Sequence, residues 1–138
     1  MSVEDNKQVA RRFAVEVWGK GDLAVADELL TDDLINHRTR PGQPGGKEGL
    51  LETIRLFHQA FAPRRFIPER FIAERDEVTD SWEMIAFHRG DFFGAAATGQ
   101  LVTTSGTDWY HVSDGRIHEI WHEQDVFGVL IELSGALP

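Results

Sequence analysis

A carboxylate lies just beyond an aromatic, strand-like segment near the end of the chain. Asp125 follows Trp121 by four residues and precedes Val126 and Phe127. Apolar neighbours of this kind remove water from a carboxylate, which raises its pKa toward neutrality. A carboxyl group tuned in this way suits a general base for an acidic C–H bond, or a general acid toward an oxyanion. The alternative is that Asp125 only caps the turn that follows it.

Two histidines on strand-like segments could supply a partner for this carboxylate. His88 ends the run 82–88, and His111 lies in the run 109–112. A neutral imidazole facing Asp125 could orient the carboxylate, share its proton or stabilise a developing enolate. Either histidine could instead be a satisfied wall residue or an exposed one.

The register of the last hairpin decides which side chains share a face. A two-residue turn at Asp114-Gly115 pairs His111 with His118 and puts it on the same side as His122. A three-residue turn over 113–115 pairs His111 with Ile117 instead. A shift of one residue moves every side chain to the other face, so both alternatives remain open. In the second alternative the residues that share one face are His111, Trp109, Trp121 and Asp125.

Other polar residues give weaker indications. His37 precedes the loop 38–46, which is rich in Pro and Gly, so it could lie at a pocket mouth or in solvent. The loop could act as a lid or be an ordinary surface loop. His118 and His122 are four residues apart, which on a strand separates them by ~13 Å. We therefore expect no metal site there, and no cofactor.

Composition excludes several classes of function. The formal net charge of −9 disfavours binding to nucleic acid or anionic membranes, although a local pocket could still take an anionic ligand. The chain has no cysteine, so disulfides, thiolate metal sites and cysteine nucleophiles are ruled out. The amino terminus has no apolar signal core, and no apolar run approaches the ~20 residues of a membrane span. We expect one cytoplasmic domain over residues 1–138.

The first half of the chain predicts helices. Ser2 and Asp5 form a capping box ahead of a periodic apolar stripe. Asp22 can cap a short second helix, and a third is predicted over residues 47–61. From residue 66 onward the pattern favours strands, with Gly106 a candidate bulge. Helices followed by a meander of strands indicate an α+β domain, a curved antiparallel sheet with helices on one face.

Bulky aromatic side chains are expected to fill the core and to line a cavity. Aromatic walls suit a hydrophobic or planar polycyclic substrate and keep water away from a reactive carbanion. The residues expected to bind such a substrate are His37, Phe57, Phe61, Phe87, Trp109 and Trp121.

Several short motifs follow one another along nearly the whole chain. They are Trp18-Gly19-Lys20-Gly21-Asp22, Asn36-His37, His88-x-Gly90-x-x-x-Gly94, Thr98-Gly99, Asp114-Gly115-Arg116-Ile117 and Trp121-x-x-x-Asp125. In this order and spacing, the chain resembles the SnoaL-like polyketide cyclases and ester cyclases of the nuclear-transport-factor-2-like superfamily.

The resemblance implies a cone-shaped α+β barrel, a bent sheet wrapped by about three helices around a deep apolar pocket. It also implies a homodimer through the outer sheet face and ring closure by an intramolecular aldol step without metal or organic cofactor. By motif position, Asp125 would be the general acid/base. His111, His88 and His37 would be polar groups of the pocket.

Three hypotheses follow. The first is a cofactor-free cyclase or isomerase of a hydrophobic polyketide-like carbonyl compound, with Asp125 as acid/base and His111 or His88 as its partner. The second is an epoxide hydrolase or epoxide-opening cyclase of natural-product biosynthesis, which needs two inward carboxyl groups, either Glu123 or Glu83 together with Asp125. The third is a non-catalytic module for ligand binding or dimerisation.

Overall fold

The amino-terminal helix follows directly from local sequence signals. The computed structural model describes residues 2–134, in which α1 spans Val3–Arg12 and continues as a π-helical segment over Phe13–Gly19. The predicted capping box is confirmed. The Ser2 hydroxyl accepts a hydrogen bond from the backbone N–H of Asp5 at 3.0 Å, and the Asp5 carboxylate accepts one from the backbone N–H of Ser2 at 3.0 Å.

Two further helices also lie where the sequence predicts them. Helix α2, Leu23–Leu29, begins after Asp22, whose carboxylate accepts a hydrogen bond from the backbone N–H of Val25 at 3.1 Å. Helix α3 spans Lys47–Ala60 and presents an apolar face to the interior. The buried large side chains of that face are Leu50, Ile54 and Phe57.

Five strands form one open, mixed sheet. Its spatial order is β1-β5-β4-β3-β2, and β1 runs parallel to β5 while the other pairs are antiparallel. The α+β class is confirmed, but the sheet is not wholly antiparallel as expected. The strands are β1 Leu30–Asn36, β2 Phe61–Glu74, β3 Glu77–His88, β4 Leu101–Ser113 and β5 Arg116–Gln124.

Two elements were not expected from the sequence. Strand β1 carries two adjacent aspartates and no simple alternation, and its extended form is stabilised by pairing with β5. Helix α4, Val126–Ser134, follows β5 almost at once and packs Val129 into the interior. None of the helices within residues 2–134 is long and apolar enough to cross a membrane.

The β4–β5 hairpin combines features of both predicted registers. Its turn has two residues, because Ser113 pairs with Arg116 across it. A bulge at His118 then shifts the register, so that Trp109 lies opposite Trp121. The bulge explains how a two-residue turn is compatible with odd-numbered residues opposing one another farther along.

The two faces of the sheet therefore differ in kind. Even-numbered residues of β3 and β4 are buried beneath the helices, and odd-numbered residues face outward. Two hydrophobic clusters fill the covered side. One joins α1, α2 and the hairpin end of the sheet, and the other surrounds Phe57, Phe61 and Trp82. A cavity lies between them.

Candidate active site

A cavity of about 580 Å³ opens where the π-helical segment, α3, the loop after β1 and the end of β5 meet. Cavities of this size and apolar character are typical of small-molecule sites. Polar groups enter the lining from the loop after β1 and from β5. The apolar side chains of its wall are Trp18, Leu50, Phe57, Phe93, Val126 and Leu130.

His122 on β5 lines this cavity and is backed by a buried carboxylate. Its Nδ1 contacts Oδ1 of Asp108, which lies opposite it on β4 and is fully buried. The other Asp108 oxygen, Oδ2, accepts a hydrogen bond from Nε1 of Trp82 at 3.0 Å. The second imidazole nitrogen, Nε2, lies 3.4 Å from Oε1 of Gln124, another lining residue. A buried carboxylate on one imidazole nitrogen fixes the ring and leaves the other nitrogen for acid–base chemistry.

Two indoles hold the imidazole plane. The rings of Trp18 and Trp82 lie nearly parallel to that of His122, at 15° and 16°, with centroids 4.9 and 5.9 Å away. Indole faces favour a nearby cation. Trp82 therefore makes two interactions at the site: its ring stacks on the imidazole, and its Nε1–H donates to the carboxylate of Asp108.

The pKa of His122 is raised above its ordinary value. Burial alone would lower it, but the charge of Asp108 and the hydrogen bonds to Asp108 and Gln124 favour the imidazolium more strongly. The His122 side chain keeps 16 % of its surface exposed, so a molecule in the cavity can reach it. The ring can therefore take a proton from a substrate and return it.

A second carboxyl group lies behind the first. Asp80 on β3 pairs with Asp108, is 2 % exposed, and neither of its carboxyl oxygens has a hydrogen-bond partner among residues 2–134. Burial and the charge of Asp108 raise the pKa of Asp80 to about 8. Burial, with the charges of Asp108 and Asp80, also raises the pKa of Tyr110 well above its ordinary value. At neutral pH the Asp80 carboxyl is therefore protonated.

Gly106 lets β4 pass close to Trp82. The expected bulge at Gly106 is wrong, because this residue pairs regularly with Trp82 and Gln124. A Cβ atom here would lie 2.3 Å from Cζ2 of Trp82 and 2.5 Å from the carbonyl oxygen of Glu123. The glycine is required by this close approach and not by an irregular backbone.

Replacing Gly106 with alanine should therefore damage both stability and the site. We expect Gly106→Ala to lower the free energy of unfolding by about 1–3 kcal/mol, because overpacking forces a buried ring to move. Chemical denaturation measures this loss. Gly45→Ala is the matched control, since a Cβ at Gly45 meets no atom within 4 Å. Equal stability of the two variants would contradict the packing argument.

Asp125 lies outside the cavity lining. Its carboxylate is exposed, and Oδ1 accepts a hydrogen bond from the backbone N–H of Gly128 at 2.8 Å in the first turn of α4. The expected burial of Asp125 in an aromatic pocket is wrong, and the turn-capping alternative describes its position. A catalytic role for Asp125 stays a prediction, whereas the geometry favours His122 and Asp108.

Four predicted pocket residues lie together on the outer face of the sheet. The rings of Trp109 and Trp121 stack with centroids 4.2 Å apart, and His37 stacks on Trp121 at 4.3 Å. Glu119 is hydrogen-bonded to both His37 and His111, each at 3.0 Å. The shared face of Trp109, His111 and Trp121 is confirmed, but Asp125 is not part of it, and His111 lies opposite Glu119 and not opposite either predicted partner. The expected position of this face in the pocket is wrong, since it points away from the helices.

The remaining predicted residues divide between core and cavity. His88 is fully buried, and its Nδ1 lies 3.0 Å from Oγ1 of Thr98, so it fastens the segment between β3 and β4. Phe61 is buried beside it, and Phe87 lies on the other face of β3; none of these three lines the cavity. Phe57 does line the cavity.

The first part of the loop after β1 also lines the cavity, from Arg38 to Pro41, with Gln43. A lid motion of this loop stays a prediction. Within residues 2–134 no three His, Cys, Asp or Glu side chains come together as a metal site requires.

The key residues were missed although the sequence carries a signal for them. Along β3 the buried positions alternate regularly, and Asp80 occupies the same phase as Val78, Trp82 and Met84. Along β4, Asp108 shares the phase of Tyr110. An acidic residue at a strand position whose neighbours two residues away are apolar indicates a buried carboxylate.

Comparison with known proteins supports this architecture. The family model for SnoaL-like polyketide cyclases matches residues 8–133. A candidate polyketide cyclase from Acidithiobacillus ferrooxidans is 27% identical with a TM-score of 0.78, over 99% of this chain and 100% of that one. A SnoaL-like candidate polyketide cyclase from Jannaschia is 23% identical with a TM-score of 0.84, over 98% of this chain and 94% of that one.

Other similar structures carry a different description. AclR, a candidate hydroxylase from Streptomyces galilaeus, is 22% identical with a TM-score of 0.85, over 99% of this chain and 85% of that one. At this identity the likeness shows the fold alone. No protein of curated function matches the chain.

Proposed function

The chain belongs to the SnoaL-like polyketide cyclase family, and on that premise we propose that it closes a ring in a hydrophobic, polyketide-like carbonyl compound by acid–base catalysis at His122. One observation carries the proposal. An imidazole that reaches an apolar cavity is bound on its far nitrogen by the fully buried carboxylate of Asp108. Asp108 is a positioning residue, since it acts through His122.

The proposed step is an intramolecular aldol addition. Nε2 of neutral His122 removes a proton from a carbon next to a carbonyl group, and the resulting enolate carbon attacks a second carbonyl carbon of the same molecule. One C–C bond forms, the carbonyl π electrons move to oxygen, and that oxygen takes the proton back from the imidazolium. The product is isomeric with the substrate. The Asp108 carboxylate stabilises the imidazolium between the two proton transfers.

The cavity wall suits such a substrate. Trp18, Phe57 and Phe93 offer aromatic surface, and Leu130 of α4 contributes aliphatic surface. Apolar walls of this kind exclude the water that would quench an enolate.

Neither alternative is favoured by a specific observation. Epoxide opening needs two inward carboxyl groups, but Asp125 and Glu83 are exposed. Glu123 lines the cavity, yet it is paired with Arg38. A non-catalytic module would be favoured by a cavity plugged by Trp109 and Trp121, and both indoles lie on the outer face instead.

A linear triketone tests the proposed reaction. Incubation with 1-phenylhexane-1,3,5-trione should give an isomeric cyclic aldol, or the same ring after loss of water, which is 3,5-dihydroxybiphenyl. Mass spectrometry and ultraviolet absorption follow both products. The proposal requires a rate above that of the same solution with the His122→Gln variant. Equal rates for the two proteins would show that the ring closes without His122.

We further propose that the chain forms a homodimer through the outer sheet face. The stacked Trp109 and Trp121 lie in register with exposed Ile72, by way of Thr79 on β3. Of this row, Trp109 and Ile72 are exposed and Trp121 is partly exposed, and apolar side chains grouped in this way on an outer sheet face are typical of a protein interface.

Charging this row should separate the subunits. We expect Trp109→Glu to raise the dimer dissociation constant by about 30-fold or more, since a tryptophan hot spot at an interface contributes ~2 kcal/mol or more. Sedimentation equilibrium measures the change, with Trp109→Phe as the control that keeps an aromatic ring. A monomeric native chain, or a Trp109→Glu dimer of native affinity, would contradict the proposal.

A further inference from the structure

Arg40 is a fixed cation in the wall of the cavity. It lies in the loop after β1, and its backbone N–H donates to Oε1 of Gln43 at 2.9 Å. One guanidinium nitrogen, Nη2, donates to Oγ1 of Thr53 on α3 at 3.1 Å. The guanidinium also lies over the ring of Phe93, 5.3 Å from its centroid. All four residues line the cavity, so the cation is held at its edge by contacts on two sides.

Most of the donors of this guanidinium are unused. Nε is buried without a hydrogen-bond partner, and Nη1 has no acceptor within the part of the chain that the structure describes. No carboxylate of that part forms an ion pair with Arg40, although the chain has 23 acidic residues against 14 Lys and Arg. A buried donor left unpaired costs free energy, and in native proteins it usually indicates a partner absent from the structure.

The other charged residues of the cavity lining favour an anion as the partner of Arg40. Glu123 is the carboxylate of the lining, and Arg38 neutralises it. His122, when protonated, is balanced by the Asp108 carboxylate that contacts its Nδ1, so Arg40 is left as the charge of the lining without a counter-ion among residues 2–134. The cavity is therefore locally positive in a chain of net charge −9. A guanidinium beside an aromatic ring, with free N–H groups, matches a carboxylate better than a neutral carbonyl.

We infer that Arg40 binds a carboxylate of the substrate, so that the cavity takes a hydrophobic keto acid as its free anion and not as a neutral ester. The inference rests on the proposed function in one respect, since both place the substrate in this cavity. Arg40 would hold the acid group while His122 acts on the carbon skeleton. Arg40 is thus a specificity-determining residue of the same site.

A matched pair of probes tests this without turnover. Binding of 2-naphthoate and of methyl 2-naphthoate is measured by isothermal titration calorimetry at pH 7.5. We expect the native protein to bind the acid about 10- to 100-fold more tightly than the ester, which is the range for a charge-assisted hydrogen bond. Arg40→Gln should bind both probes equally and the ester as well as the native protein does. Arg40→Lys should keep part of the preference.

Two further variants separate the other sources of such a preference. His122→Gln removes the second cationic group and should keep the preference for the acid. Arg89→Gln removes one positive charge outside the cavity lining, so it controls for net charge and should change nothing. A preference that survives in Arg40→Gln, or disappears in His122→Gln, would overturn the inference. If Arg40→Gln bound neither probe, the inference would also be overturned, because the role of Arg40 would then be only to fix the conformation of the loop after β1.

The outcomes also separate this inference from the proposed function. A protein that shows the Arg40-dependent preference but never closes a ring keeps the carboxylate site and loses the cyclase proposal. A protein that cyclises the triketone but binds both naphthalene probes equally keeps the cyclase proposal and loses the carboxylate site.

Discussion

Replacing His122 with glutamine should lower kcat/KM by about 10²- to 10⁴-fold, which is the usual contribution of a positioned general acid–base group. Glutamine keeps a polar side chain of similar length but cannot exchange a proton at neutral pH. The fold should survive, because the carboxylate of Asp108 still receives the hydrogen bond from Trp82. Steady-state kinetics of triketone cyclisation measure the loss, and circular dichroism checks the fold.

The pH dependence of kcat/KM distinguishes the role of His122 from that of Asp108. If neutral His122 is the base, kcat/KM should rise with pH through a pKa above the ordinary histidine value, since Asp108 stabilises the imidazolium. Asp108→Asn removes that charge, so the rising limb should move to lower pH while the maximum rate also falls. A limb that stays in place in Asp108→Asn would show that Asp108 does not act through His122.

Asp125→Asn is the matched comparison, because asparagine caps a helix about as well as aspartate. We expect this variant to retain activity within about threefold, since the Asp125 carboxylate is exposed and bound to the backbone of α4. If Asp125→Asn loses activity while His122→Gln keeps it, the assignment based on the family motif is the correct one.

Asp80→Asn should make the protein more stable at pH 8, and the gain should grow with pH. In the unfolded chain this carboxyl has its ordinary pKa of 3.8, whereas in the folded protein its pKa is about 8. Between these values the folded state binds more protons, so the contribution of Asp80 to stability is full below pH 3.8 and is lost as pH rises toward 8. Asparagine carries no such proton and avoids the loss.

The size of the effect follows from the same linkage. Each pH unit inside this window changes the free energy of unfolding by at most ~1.4 kcal/mol, so the advantage of Asp80→Asn should increase by roughly 2–4 kcal/mol between pH 5 and pH 8. Urea denaturation at a series of pH values measures it. Asp33→Asn, at an exposed position of β1, is the control and should change the slope little. An advantage that does not depend on pH would contradict a protonated Asp80.

Local signals account for the parts of the fold that the sequence predicts. The caps at Ser2 and Asp22 and the face of α3 depend on residues within a few positions of one another, so they can be predicted without the rest of the chain. Strand β1 cannot, because its aspartates oppose a strand pattern and its partner β5 lies about 85 residues away. Helix α4 was hidden because an apolar run directly after a strand has no clear period.

The candidate site was less predictable, because faces depend on register. The motif Trp121-x-x-x-Asp125 indicates odd-numbered positions of the last hairpin, whereas His122 and Asp108 are even-numbered. No residue type near the hairpin turn indicates that His118 leaves the ladder. The sequence does show the alternation of apolar and polar residues along β3 and β4. It predicts Asp80 and Asp108 to be buried only if an acidic residue at an inward-facing position is interpreted as part of the strand and not as its interruption.

The bulge at His118 also constrains how this hairpin can change over generations of related chains. Deletion of His118 would only make the ladder regular, since Val112 would still lie opposite Ile117 and His111 opposite Glu119, and both sides of β5 would stay as they are. If His118 were kept but paired regularly with His111, Trp121 would lie opposite Asp108 and would take the place of His122 in the cavity. Whether a descendant has an imidazole or an indole at its reaction centre therefore depends on the ladder passing over this one residue.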